Sequence, residues 1–121
     1  MNTYVDGFVL SVPKESRAKY KKLAKEASEV WKKFGALDYK ECRLDDINPQ
    51  WVTFTFPKMA KSKEDEETWF SFIVFESKTA RNKINKAVMK YFDEKYGESM
   101  KDMPFDMKRF AYGGFKTEVE G

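Results

Sequence analysis

The polar residues best placed to do chemistry lie near the two ends of the chain. Asp6-Gly7 interrupts an otherwise apolar run from Tyr4 to Val12. A carboxylate there is costly to bury alone. It must either pair with a nearby Arg or Lys, the commoner outcome, or act as a general base with a raised pKa. Towards the other end, Arg109 precedes Tyr112-Gly113-Gly114-Phe115. Glycine inside a strand marks a bulge or a close approach to the backbone. One reading is a small pocket floored by Gly113 and Gly114, where Arg109 pairs with an anionic group through its planar fork and Tyr112 supplies a hydroxyl. The other is architectural: a bulge that lets sheets pack, with Asp106 or Glu41 neutralising Arg109. Strand glycines are more often architectural, which favours the second.

Other chemistry is excluded by composition. The 121 residues contain no histidine and one cysteine, Cys42. Imidazole-dependent triads therefore fail, and the preferred zinc ligand is missing. Glu41 and Cys42 are sequence neighbours on one expected strand and so face opposite ways. Without a histidine to activate it, Cys42 reads as a small hydrophobe. The acidic run Glu64-Asp65-Glu66-Glu67 reads as a solvated loop, so no metal site is expected. Gly113-Gly114 lacks the following helix and Lys-Ser/Thr of a phosphate loop. No cofactor is implied.

These residues must be positioned by a small set of elements. Tyr4 to Val12 predicts a first strand, closed by Pro13. Tyr20, Leu23, Ala24, Ala27, Val30, Trp31 and Phe34 then recur on one helical stripe, and Gly35 suits the left-handed position beyond a helix end. Ala36 to Leu44 predicts a second strand, and Asp45 to Pro49 a turn. Trp51 to Phe56 alternates and predicts a further extended piece ended by Pro57. Lys58 to Glu67 reads as a charged, mobile loop. Thr68 to Glu76 is the most hydrophobic strand, and Ser77 is a good N-cap for a helix running to Gly97. Glu98 to Met107 is irregular, and Lys108 to Val119 predicts the last strand. The order is that of an α+β, ferredoxin-like βαββαβ domain spanning residues 1–121, with two helices on one face of an antiparallel sheet.

Two helices cover one face only, yet the strands do not alternate as a sheet with a wet face should. Phe70, Phe72 and Val74 occupy one side of the third strand and Trp69, Ile73 and Phe75 the other. The latter, with Val5 and Val9, are assigned to the uncovered face. Such a patch exceeds the few hundred Å² a monomer normally exposes. A second copy packed sheet to sheet about a two-fold axis is the simplest cover, the alternative being a lid formed by the Trp51 to Met59 segment.

Net charge is +3, and the helices are basic. Pro13 to Phe34 carries eight Lys or Arg against three Glu, and Ser77 to Gly97 six against two acids. A solvated helical face explains this better than a phosphate-tracking surface. Tyr112-Gly113-Gly114-Phe115 also lacks the signature of RNA-recognition sheets, so nucleic acid is not the expected partner. No apolar run is long enough to span a membrane. The first residues lack the features of a signal peptide, and with one cysteine the expected compartment is the cytoplasm.

Three stretches resemble the YbaA-like family of uncharacterised bacterial proteins. They are Tyr4-Val5-Asp6-Gly7-Phe8-Val9 with Val12-Pro13-Lys14, Trp31 to Leu37 running into Tyr39-Lys40-Glu41-Cys42, and Met103 to Arg109 with Tyr112-Gly113-Gly114-Phe115. The resemblance implies a dimeric α+β barrel. It departs at Met107, where the family usually has a small residue, and in the charged Lys58 to Glu67 loop. Three functions follow in order of preference. The first is a homodimer holding a small, anionic or neutral, ligand in a pocket beside the sheet. The second is a cofactor-free enzyme, monooxygenase- or isomerase-like, with Asp6, Arg109 and Tyr112 as acid–base and anion-stabilising groups. The third is an RNA-binding accessory protein using the basic helix faces.

Overall fold

The computed structural model describes residues 2–121, with the backbone alone at Met100 and Lys101. Strand β1 (Tyr4–Pro13) leads through a short 3-10 turn into helix α1 (Arg17–Phe34), which ends on Gly35 at φ 119°. A side chain is strained at that dihedral, so the glycine sets the helix end. Strand β2 (Asp38–Arg43), a short helix α2 (Phe56–Ala60) and strand β3 (Glu66–Phe75) follow. Helix α3 (Lys78–Tyr96) starts where Ser77 Oγ accepts from the Ala80 N–H at 3.1 Å. Two 3-10 segments then precede strand β4 (Ala111–Lys116). The sheet is antiparallel throughout in the order β2-β3-β1-β4. This is the ferredoxin-like arrangement.

Register decides which residues meet the helices. Phe8 pairs with Ser71, Leu10 with Trp69, and Tyr4 with Phe75, all on the helix side. Trp69, Ile73 and Phe75 are buried there at 5%, 1% and 0% exposure. This corrects the assignment of those three residues to the uncovered face. Both sides of β3 are apolar, so composition could not tell its two faces apart, and only pairing with β1 does. The uncovered face instead carries Val5, Val9, Phe70, Phe72, Val74 and Phe115, with Phe70 44% and Phe115 60% exposed.

The segment after β2 differs from expectation. Trp51 to Phe56 forms no strand: Trp51 takes a positive φ of 76°, and Phe56-Pro57 opens α2. Proline belongs in a helix's first turn, where its missing N–H costs nothing, and β2, at the sheet edge, takes no further partner. Nor is Lys58 to Glu67 a solvated loop. Its first part completes α2, and Glu66 and Glu67 enter β3 as ion-pair partners of Arg109 and Arg17. A run of charges does not disclose which members find partners. The α2 segment covers one end of the uncovered face, where Ser62 Oγ lies 2.7 Å from both Ser11 Oγ and Thr68 Oγ1. The final strand is also shorter than Lys108 to Val119, because Met107–Arg109 is a 3-10 turn in which Asp106 caps the Lys108 N–H.

Two groups of buried residues make up the core. Val30, Ile73, Phe75, Ile84, Val88 and Phe92 form one, and Leu10, Val12, Tyr20, Ala24 and Trp69 the other. Phe8 packs against both. The space between them is not filled by side chains.

Candidate functional site

That gap is a cavity of about 480 Å³, walled by α1, the end of α3, the chain after it, and the helix side of the sheet. Members of both core groups line it, among them Tyr20, Ile73 and Phe92. Its size falls in the range of small-molecule sites. Aromatic rings dominate the walls: Phe8, Trp31, Tyr39, Tyr96, Phe105 and Phe110 add to those of Tyr20 and Phe92. Trp31 and Phe92 come from the helix stripes, Tyr39 from β2, and Phe105 and Phe110 from the irregular approach to β4. Phe105 and Phe110 stack with centroids 5.6 Å apart, which fixes that wall.

Of the three acids that line the cavity among the described residues, Glu41 stands among the aromatic rings. Glu41 Oε1 accepts from the Tyr20 hydroxyl at 2.7 Å, and its Oε2 from the Tyr39 hydroxyl at 2.5 Å. Tyr39 and Glu41 stand two apart on β2 and so share its helix side, opposite Ile73 and Ser71 of β3. Burial pushes the Glu41 carboxyl up from its ordinary value, opposed by the hydrogen bonds from Tyr39, Tyr20 and Ser71. Among the described residues, Glu41 makes no ion pair. Burial, and then the neighbouring Glu41, also raise both phenols, so Tyr20 and Tyr39 stay protonated donors across the physiological range.

The residues singled out by sequence are divided between two other places. Asp6 is 1% exposed; its Oδ2 accepts from Asn85 Nδ2 at 2.9 Å, and Arg81 Nε lies 3.7 Å from its Oδ1. Arg81 also donates to the hydroxyls of Tyr112 at 3.0 Å and Tyr4 at 3.1 Å. Burial, then the Asp6 charge, raises the Tyr112 phenol. A Cβ at Gly114 would sit 2.6 Å from the Tyr4 hydroxyl and 2.9 Å from Arg81 Nη2, so the absence of a side chain makes room for this cluster. Gly113 faces the other way, under the Phe115 ring. The two glycines therefore do not floor one pocket.

Arg109 stands apart from Asp6 and Tyr112. Its Nη1 and Nη2 each reach a Glu66 oxygen at 2.7 Å, Nε reaches Asp106 at 3.0 Å, and Nη1 also meets the Lys61 carbonyl. The guanidinium expected to receive an anionic ligand is held by carboxylates of its own chain. Of the two acids proposed to neutralise it, Asp106 does so and Glu41 does not. Cys42 is exposed on the uncovered face, opposite in direction to Glu41.

Sequence reasoning missed Glu41, Tyr20, Tyr39 and Arg81 as site residues. Tyr20 carried a signal: a tyrosine within an apolar helix stripe needs a partner for its hydroxyl. Tyr39-x-Glu41 carried another, being two polar groups on one side of a strand. No metal-ligating cluster occurs among the described residues. Nor is any described helix long and apolar enough to cross a membrane.

Fold and cavity together define a ferredoxin-like α+β protein with an aromatic-walled chamber between helices and sheet. A solved dimeric ferredoxin-like protein from an uncultured marine organism matches over 100% of both chains, with a TM-score of 0.62 and 8% identity. Residues 3–107 match the family described as a protein of unknown function, DUF1428, and the chain belongs to that family. It is 39% identical over 117 residues to the uncharacterized protein YbaA of Escherichia coli K12, covering 97% of each chain. YbaA of Shigella flexneri matches to the same extent.

Proposed function

We propose that this protein is a homodimer that binds a small molecule in the helix-side cavity, with the two sheets packed through their uncovered faces. One observation carries the binding reading: about 480 Å³ of aromatic-walled space is lined by a partly buried carboxylate, Glu41. A well-packed interior leaves few voids much larger than a water molecule, and a polar group facing one is what orients a ligand. Neither Arg109 nor Asp6 lines this space; the polar residues that do include Glu41, Tyr39, Tyr20 and Ser71.

The dimer reading is supported by exposed apolar surface. The chain exposes 8666 Å², roughly a quarter more than the about 6,800 Å² expected of a compact monomer of 14.3 kDa. Phe70 and Phe115 contribute on the open face; Trp51 at 91% and Phe54 at 70% exposure contribute from the arm before α2. The arm leads into α2, whose Phe56 ring lies 6.5 Å from that of Phe70 on the open face, and an arm of this kind can grip a second copy. The marine neighbour is described as dimeric. The exposed thiol of Cys42 suits a reducing, cytoplasmic setting.

Native mass spectrometry of protein purified gently from its own cells tests the binding reading. A retained small-molecule mass is expected, and Ala27→Phe, which fills the chamber, should abolish it. The neutral apolar dye N-phenyl-1-naphthylamine should likewise fluoresce with the native chain and not with Ala27→Phe. If neither a retained mass nor dye binding is seen, the reading fails. For the dimer, sedimentation equilibrium should give twice 14.3 kDa, falling to one copy in Phe115→Asp; a single-copy mass for the native chain at tens of micromolar contradicts it.

A further inference from the structure

We infer that the ligand of this chamber is an organic ammonium with an apolar body, its cationic head held by Glu41 among the aromatic rings. The inference rests on the binding reading above and adds the charge and class of the ligand. The buried acids on the helix side each have a cation of their own chain: Asp6 has Arg81, and Glu67 has Arg17 and Arg43. Glu41 has hydroxyl donors only. Two phenols spread its charge without neutralising it, and an isolated buried charge is costly. A ligand carrying the missing positive charge removes that cost; one carrying a carboxylate or phosphate would add to it.

The walls favour the same ligand. The rings of Tyr20, Tyr39, Trp31, Phe8 and Phe92 line the space, and the negative face of an aromatic quadrupole attracts ammonium groups. Among the described residues that line it, Lys19 is the only cation, and it is exposed. Two further acids line the chamber: Asp102, which is exposed, and Glu26, already bonded to Lys95 and Tyr96 of α3. Arg17, which opens α1, and Arg43, which ends β2, are paired with Glu67. A protein with net charge +3 thus brings one basic side chain, the exposed Lys19, to this cavity among the described residues. The apolar remainder of the ligand fills the space between the two core groups, where Phe105 and Phe110 would stack on it.

The test displaces bound N-phenyl-1-naphthylamine with three compounds of similar shape and different charge: phenethylammonium, 2-phenylethanol and 3-phenylpropionate. At pH 7.5 the ammonium should bind at least about tenfold more tightly than the alcohol, with the carboxylate weakest. In Glu41→Gln, which keeps an acceptor for the tyrosines, the dye should still bind and the ammonium preference should fall below about threefold. If the alcohol or carboxylate competes as well as the ammonium, or if no compound displaces the dye, the ammonium inference is overturned while the chamber remains a binding site. If the dye fails to bind the native chain, the ammonium inference falls, and the binding reading falls with it when no small-molecule mass is retained either.

Discussion

Two carboxylates lie on the helix side of one sheet, and they are held in opposite ways. Asp6, in the central strand β1, lies beside Arg81 and accepts from Asn85, which is itself fixed by the Trp31 indole N–H at 2.9 Å. Glu41, in the edge strand β2, is met by two hydroxyls and an open chamber. The Asp6 cluster is balanced in charge within the chain, although Asp6 Oδ1 and Arg81 Nε, 3.7 Å apart, make no hydrogen bond, so its polarity serves the docking of α3 on β1 and β4. The Glu41 site is incomplete in charge, so its polarity is directed at something the chain does not supply. Trp31 belongs to both, with its ring on the chamber and its N–H on Asn85. Burial alone does not separate a structural acid from a binding one; the identity of its partners does.

That contrast should be visible in stability. Asp6→Ala leaves Arg81 and Asn85 facing an uncompensated hole, and breaking a buried charge pair costs about 3–5 kcal/mol. Urea unfolding should show a loss near the lower figure, since Arg81 Nε is 3.7 Å from the carboxylate; a loss below about 1 kcal/mol would mean that Asp6 is no more structural than Glu41. Tyr39→Phe removes one hydrogen bond to a charged group and should cost about 1.5–3 kcal/mol, while pushing the Glu41 carboxyl higher still. Glu41→Gln should be mildest, within about 1 kcal/mol at neutral pH, because a desolvation cost leaves together with the charge.

The pH dependence of the last variant has a definite sign. The Glu41 carboxyl is raised above 4.5 in the folded chain, so between 4.5 and its folded value the native state holds the extra proton. Native stability then falls as pH rises through that window. Glu41→Gln lacks this fall, so the variant gains on the native chain as pH climbs above 4.5 and shows no such trend below it. Glu66, Glu67 and Asp106, held low by hydrogen bonds from Arg109 or Arg17, act oppositely and lose stability as pH drops through their lowered values. They are common to both chains and cancel in the difference. Chemical denaturation of the pair from pH 4 to 8 measures it.

Much of the frame was legible because it rests on local signals. The stripe from Tyr20 to Phe34, the N-cap at Ser77 and the glycine at position 35 fix α1 and α3 without reference to the rest of the chain. The buried face of β3 was not legible, since both its sides are apolar and only the register with β1 distinguishes them. The arm at Trp51 to Phe56 has the alternation of a strand but no sheet edge to join. The site was hidden for a related reason. Tyr20, Tyr39 and Glu41 come from two elements and meet only when α1 lies on β2, whereas Arg109 and Tyr112, three apart in sequence, serve different clusters. Asp6 was correctly marked as needing a partner, but Arg81, the partner itself, sits 75 residues away on α3.

Titration of the Glu41 side-chain carboxyl carbon by NMR, in the ligand-free protein, tests the central claim most directly. A partly buried carboxylate with only hydroxyl partners should titrate with a midpoint above 4.5 and move downward when phenethylammonium is added. A midpoint at or below 4.5 in the free protein would mean that a cation of the chain already reaches Glu41, and the chamber would have no charge left to offer a ligand.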